Sequence, residues 1–326
     1  MLVLAKAVGD RRRVEQLLAK AEASVRRAFR RFLDDARSPQ VTRLVRQELE
    51  RGGIEGGLAV LDAYSARLAS SIPPIFQAVG IAEAADLARQ VARRQPGIGL
   101  SFDPTHPRAA ALMRRNRLEF IQGFSGKQRQ ATRAALSEAF QTGAGPIQAA
   151  RAFRASIGLT ETQRRAVANY RNLLEAGDAA VLSRDIRDRR FDPSVRRMLE
   201  DEEPLGAERI SRMVERYRER YLTYRAETIA RTESLRVLGQ AREEALRQVV
   251  DDVGLPRGAV RRVWRATMDA RVRDTHAAMD GQEVGQDEPF ESPSGALLMF
   301  PGDPSAPPEE VINCRCTVLT EITPPE

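Results

Sequence analysis

The chain has 326 residues, 42% of them apolar and 30% charged, with a formal net charge of +7. That is enough apolar material for about two folded cores and excludes a disordered tail. No window reaches the ~18 uninterrupted apolar residues of a bilayer span, and the start MLVLAKAVGDRRR lacks a secretory cleavage site, so the expected place at synthesis is the cytoplasm, without a membrane.

Charge is unevenly spread. Residues 1–51 carry 13 Lys+Arg against 7 Asp+Glu, residues 52–250 carry 32 against 24, and residues 251–326 carry 7 against 14. Affinity for a polyanion therefore belongs to the first 250 residues. Only Lys6, Lys20 and Lys127 are lysines. The arginine excess reads first as codon bias and second as a choice of the guanidinium fork.

In chain order, the helical period opens near Gly9. Leu17, Leu18, Val25, Phe29, Phe32 and Leu33 recur at three- and four-residue intervals, predicting one long amphipathic helix. Its other faces carry Arg11, Arg12, Arg13, Arg26, Arg27, Arg30 and Arg31, which suit either sequence-blind contact with double-stranded DNA or a solvated face meeting an acidic protein. Aromatic residues are too few for a single-strand stacking platform. Ser38-Pro39 restarts the chain in a second helix, Gly52-Gly53 and Gly56-Gly57 loosen the start of a third, and Pro73-Pro74 breaks the pattern again. Residues 1–95 thus form a basic N-terminal helical region.

The period lapses around GIGLSFDPTHP, an expected extended crossing, and returns near Arg108. Ser125 is expected to cap one helix, Gly143 to Gly145 to end it, and Pro146 to open the next. Thr160 with Gln163 spells a capping box. DRRFDPSVRRMLEDEEPLG reads as a charged connector, and residues 207–249 as one long helix or two joined ones. Residues 96–252 are therefore a helical body ending in a long helix.

Beyond DDVGLPRGA the grammar changes. VRRVWRAT alternates like a strand, DARVRDTHAAM fits a short helix, and DGQEV, ALLMFPGD and VINCRCTVL read as three more strands. The fold class is mainly α: a multi-helix body followed by a small α+β module over 253–326.

Both cysteines of the chain, Cys314 and Cys316, lie in this last strand-like run, two apart and so on one face. They read either as two small buried apolar side chains or, with His276, as part of a zinc site, with Asp269, Asp274 or Asp280 as its fourth member. A disulfide between them would strain the chain. On the long helix Glu233 falls on the apolar stripe and needs a partner. Either that face is solvated, or Glu233 locks the helix to the module through Arg271 or Arg273. Glu227 and Arg231 stand in the favourable i, i+4 order, and Thr228 and Thr232 offer hydroxyls on one side. No phosphate-cradling GxxxxGK[ST] occurs, and with two histidines the chain offers little for catalysis.

ETIARTES, WRATMDARVRDTHAAMDGQEV, PF and FPGDPSAPPEEVINCRC, in that order, resemble the phage head morphogenesis family, the phage Mu protein F-like minor head proteins. The resemblance covers about residues 225–318. It rests on Arg231, Thr232, Glu233, Trp264, Asp269, Arg273, His276, Asp280, Gly281, Pro301, Asp303, Asn313, Cys314, Arg315 and Cys316. A looser similarity runs from about 100 to 175. It implies a non-enzymatic virion component inside the head near the portal vertex, acting in head morphogenesis and DNA packaging or ejection. Its implied partners are the portal protein, the major capsid or scaffold protein, and double-stranded DNA without sequence preference. It gives Arg231, Glu233, Trp264, Asp269, Arg273, Asp280, Asn313 and Arg315 structural roles, and it ties His276, Cys314 and Cys316 to one shared site. Some members carry toxin domains after the NCRC motif; with ten residues following Cys316, none is expected here. The competing reading is a metal-dependent or transferase-like enzyme centred on the module.

Overall fold

A computed structural model of the chain describes residues 2–92, 101–201 and 203–322. It is mainly helical, with a few short antiparallel strands near the C-terminus, as the periodicity predicts. Two compact units are each assembled from separated stretches: Met1–Ala28, Ala69–Phe120 and Thr228–Glu326 form the first, and Phe29–Leu68 with Ile121–Glu227 the second.

The first unit contains the start of α1 (Leu2–Ala36), then α3 (Ile72–Ala92), α4 (Pro107–Phe120), the distal run of α9 (Ala207–Val253) and all the strands. Pro73 and Pro74 sit in the first turn of α3, where missing amide hydrogens cost nothing. The expected crossing after α3 lies partly outside the described residues. From Ser101 to His106 the chain is irregular, and Gln248 of α9 holds it by accepting from the Asp103 backbone N–H at 2.8 Å and donating to the Asp103 carbonyl at 3.1 Å.

β1 (Val260–Arg265) is the middle strand of an antiparallel sheet, between β2 (Glu283–Val284) and β5 (Thr317–Ile322), with Val263 opposite Leu319 and Trp264 opposite Val318. A separate hairpin pairs β3 (Phe290–Glu291) with β4 (Leu297–Leu298). The strand expected over ALLMFPGD thus shrinks to two residues. β1 also departs from strict alternation: Arg262, Val263 and Trp264 are all buried, because both faces of the strand centre are covered. α9 comes close to this module at Gly239, where any Cβ would run into the Phe300 ring.

The second unit holds the end of α1, α2 (Pro39–Ala69), α5 (Gly126–Gln141), α6 (Pro146–Ser156), α7 (Glu161–Glu175), α8 (Asp192–Asp201) and the proximal run of α9. α2 consists of two helical segments that meet at a kink at Gly53, where the glycine pair is expected to loosen the entry to a further helix; the φ of 58° there is one that glycine adopts without strain. Ser125 is not a cap: it has helical φ and ψ inside a π-helical turn (Ile121–Ser125) that joins α4 to α5, so no free helix start exists there. Gly145-Pro146 opens α6, and the Thr160–Gln163 capping box opens α7 with both reciprocal bonds.

The charged connector is more ordered than its composition implies. Asp192–Asp201 forms α8, and Val195 and Met198, three apart, bury in a core with Tyr170, Leu174, Val181, Met213 and Tyr217. Tyr170 and Tyr217 stack at 4.1 Å between centroids. A second patch sets Phe29 and Phe32 edge-on to Phe124, with the Arg225 guanidinium 5.2 Å from that ring and burial pushing its pKa down to about 10.

Candidate functional site

In the first unit, a buried sulfur and imidazole cluster forms where three short elements meet. α10 (Asp274–Ala278) carries His276, and α11 (Pro308–Val311) ends just before the two cysteines. Cys314 and Cys316 are not in a strand. They lie in the extended stretch leading into β5, which keeps the two-residue alternation without ladder bonds of its own. His276 and Cys314 are 1% exposed and Cys316 2%.

Asn313 makes the turn that delivers them. Its φ of 58° lies in the left-handed region, which asparagine tolerates better than most residues. Its backbone N–H donates to Thr232 Oγ1 at 3.2 Å and its Nδ2 to Thr228 Oγ1 at 3.4 Å, so the two hydroxyls on α9 hold the turn. Arg315 points the other way, into a bidentate pair with Asp269, whose pKa it holds down. Thr267 Oγ1 donates to the Arg315 carbonyl at 2.6 Å.

Both sulfurs converge on one ring atom: Cys314 Sγ and Cys316 Sγ each lie 3.4 Å from His276 Nδ1. The Cys316 backbone N–H also donates to Cys314 Sγ at 3.4 Å. The thiols are coupled: the bond from Cys314 lowers the Cys316 pKa to about 5, and the same bond together with burial raises Cys314. On the far side of the ring, Nε2 lies 2.8 Å from Glu310 Oε2, although an N–H there is poorly aligned for a hydrogen bond. Burial works to raise the Glu310 pKa. The hydroxyls of Ser294, Ser292 and Thr275, together with His276, outweigh it, and the carboxyl ends below its ordinary value. Trp264 stands edge-on to the His276 ring at 5.4 Å.

The carboxylate at the cluster is therefore Glu310, and none of the three expected aspartates joins it. Asp269 is taken by Arg315, Asp280 accepts from the Ala266 backbone N–H at 2.8 Å, and Asp274 opens α10. Glu310 was hidden because PPEEV reads as a solvated acidic doublet. Its only sequence signal is position, four residues before Cys314.

Glu233 likewise finds a nearer partner than Arg271 or Arg273. It pairs with Arg236, one turn along α9, and Arg236 also pairs with Glu119. Burial raises the Glu233 pKa, against the pull of Arg236. Arg273 instead donates to the Ile312 carbonyl, and Arg231 lies 3.6 Å from Glu22. The fastening of α9 to the module passes through groups with no sequence signature: Arg242 Nη1 donates to the Val318 carbonyl at 2.7 Å, and Arg262 Nη1 to Glu243 Oε1 at 2.8 Å. Arg262 is fully buried and also donates to the carbonyls of Gly285, Met299 and Glu288.

Of the α1 arginines, Arg13 turns inward to Glu83 and Asp86, and Arg11 pairs with Glu15. Arg12, Arg26, Arg27, Arg30 and Arg31 make no ion pair among the described residues, and all but the half-buried Arg26 are exposed. No described helix is long and apolar enough to cross a membrane.

Comparison with known proteins bears on this same region. Residues 205–319 match the family model for "Phage Mu protein F like protein". A curated relative, Minor head protein GP7 of Bacillus phage SPP1, is 30% identical over 95 residues, covering 29% of this chain and 29% of that protein. The shared stretch is thus under a third of either chain. No solved structure matches. From the start of α9 to the middle of β5, taking in the sulfur and imidazole cluster, the chain is similar to the phage Mu protein F-like family.

Proposed function

We propose that this chain is a minor head protein of a tailed-phage or prophage-like particle, held near the portal vertex and acting in head assembly and in DNA packaging or delivery. The observation that carries this reading is the match over 205–319, which coincides with one structural piece: a continuous α9 from Ala207 to Val253 and the module fastened to it through Arg242, Arg262 and the Asn313 turn. The name of the SPP1 relative points the same way. The portal protein is the primary partner, with the major capsid or scaffold protein beside it. The unpaired arginines of α1 support a phosphate contact blind to sequence. The role is non-enzymatic: thiols and an imidazole almost without exposed surface give a substrate little to meet.

Two measurements test it. The full chain should co-sediment with purified portal oligomers, and it should bind duplex DNA with an affinity that falls steeply with salt. Replacing Arg12, Arg27, Arg30 and Arg31 by Gln should flatten the log–log salt slope by about 0.9 for each phosphate that is no longer neutralised. Failure of both measurements ends the proposal.

A further inference from the structure

The convergence of two sulfurs on one ring nitrogen has a proton-accounting problem. Nδ1 carries either one lone pair or one hydrogen, so it can bond fully to one sulfur at a time. Yet Cys314 Sγ and Cys316 Sγ stand at the same 3.4 Å, and all three donor atoms lie within 4.8 Å of one another in a site closed to solvent. A cation at the point of convergence satisfies all three.

We infer that His276 Nδ1, Cys314 Sγ and Cys316 Sγ bind a zinc ion that ties α10 to the stretch entering β5. The inference is independent of the virion role. Tetrahedral zinc, with bonds of about 2.3 Å to sulfur and about 2.05 Å to nitrogen, sets N···S near ~3.6 Å and S···S near ~3.8 Å. The two observed N···S distances of 3.4 Å need only small movements to match. Two thiolates and a neutral imidazole form a soft donor set that selects zinc over magnesium or calcium, and together with the ion they are neutral, which suits burial.

The group that would support the ring stands beside it, 2.8 Å from Nε2, and needs only a small realignment. Glu310 at Nε2 favours the tautomer with its hydrogen on that nitrogen and its lone pair on Nδ1, and Ser292, Ser294 and Thr275 hold the carboxylate in place. The chain has no third cysteine, and its other histidine, His106, stands beside Glu244. The fourth position is therefore left to a water.

The test uses the full chain, stripped with a chelator and titrated with Zn²⁺. Elemental analysis should find one zinc per chain, and Co²⁺ in its place should give a thiolate-to-cobalt charge-transfer band with tetrahedral d–d absorption. Glu310→Gln should keep the fold by circular dichroism and weaken zinc affinity about 10- to 100-fold. Cys314→Ser and Cys316→Ser should abolish the charge-transfer signature or halve it, and His106→Gln should leave stoichiometry and spectrum unchanged. A folded wild-type chain that retains no stoichiometric zinc, or a cobalt spectrum without the thiolate band, overturns the inference whatever the variants do.

Discussion

The tyrosine-lined core of the second unit and the α+β module of the first solve the same problem by different means. Around Tyr170, Leu174, Met213 and Tyr217, regular helices satisfy their own backbones and bury apolar side chains at helical spacing. In the module the strands are two to six residues long, so much of the chain is irregular and its carbonyls need outside donors. Arg262 and Arg242 serve that need from the interior and the partly buried Arg273 from near the surface. A small module with little ladder thus relies on buried charge at its centre, whereas the tyrosine-lined core is built mainly from apolar side chains. Removing one polar group should therefore hurt the module as much as a large cavity hurts the helices.

The largest effect is expected at Arg262. Arg262→Met keeps much of the volume but leaves Glu243 and three carbonyls without their donor, and breaking a buried pair in this way costs about 3–5 kcal/mol in chemical denaturation. Adding Glu243→Gln should recover part of that loss, because the stranded carboxylate is then gone. A single-variant cost below ~1 kcal/mol would break the comparison. In the helical core, Leu174→Ala should cost ~2–5 kcal/mol through its cavity, with no recovery from any polar second change.

Smaller effects sharpen the contrast. Thr160→Ala removes the capping box of α7 and should cost ~0.5–2 kcal/mol, most of it regained by Thr160→Asp, which restores an accepting oxygen. The smallest change concerns pH. The Arg190 guanidinium holds Asp188 down to about 2, against 3.8 for a free aspartate. A depressed folded pKa gives stability that is present above 3.8 and is lost as pH falls towards about 2. Asp188→Asn keeps an oxygen for the Arg190 backbone N–H but not the charge, so its deficit against wild type, followed by urea unfolding, should be constant near neutrality, shrink below 3.8 and be lost only as pH falls through about 2.

The amino-acid sequence alone determined what depends on neighbours within a turn. The restart at Ser38-Pro39, the opening of α6 at Pro146 and the Thr160–Gln163 box follow from backbone chemistry acting over four residues or fewer. So does the shared direction of Cys314 and Cys316, which needs only an extended chain. Tertiary structure decided which group answers each buried charge. Glu310 meets His276 across 34 positions, Arg262 gathers three carbonyls from two loops, and Arg13 leaves the basic face of α1 for Glu83. Desolvation explains the division. A buried ionisable group must find some partner, and closure of the fold, more than spacing along the chain, determines which one is within reach.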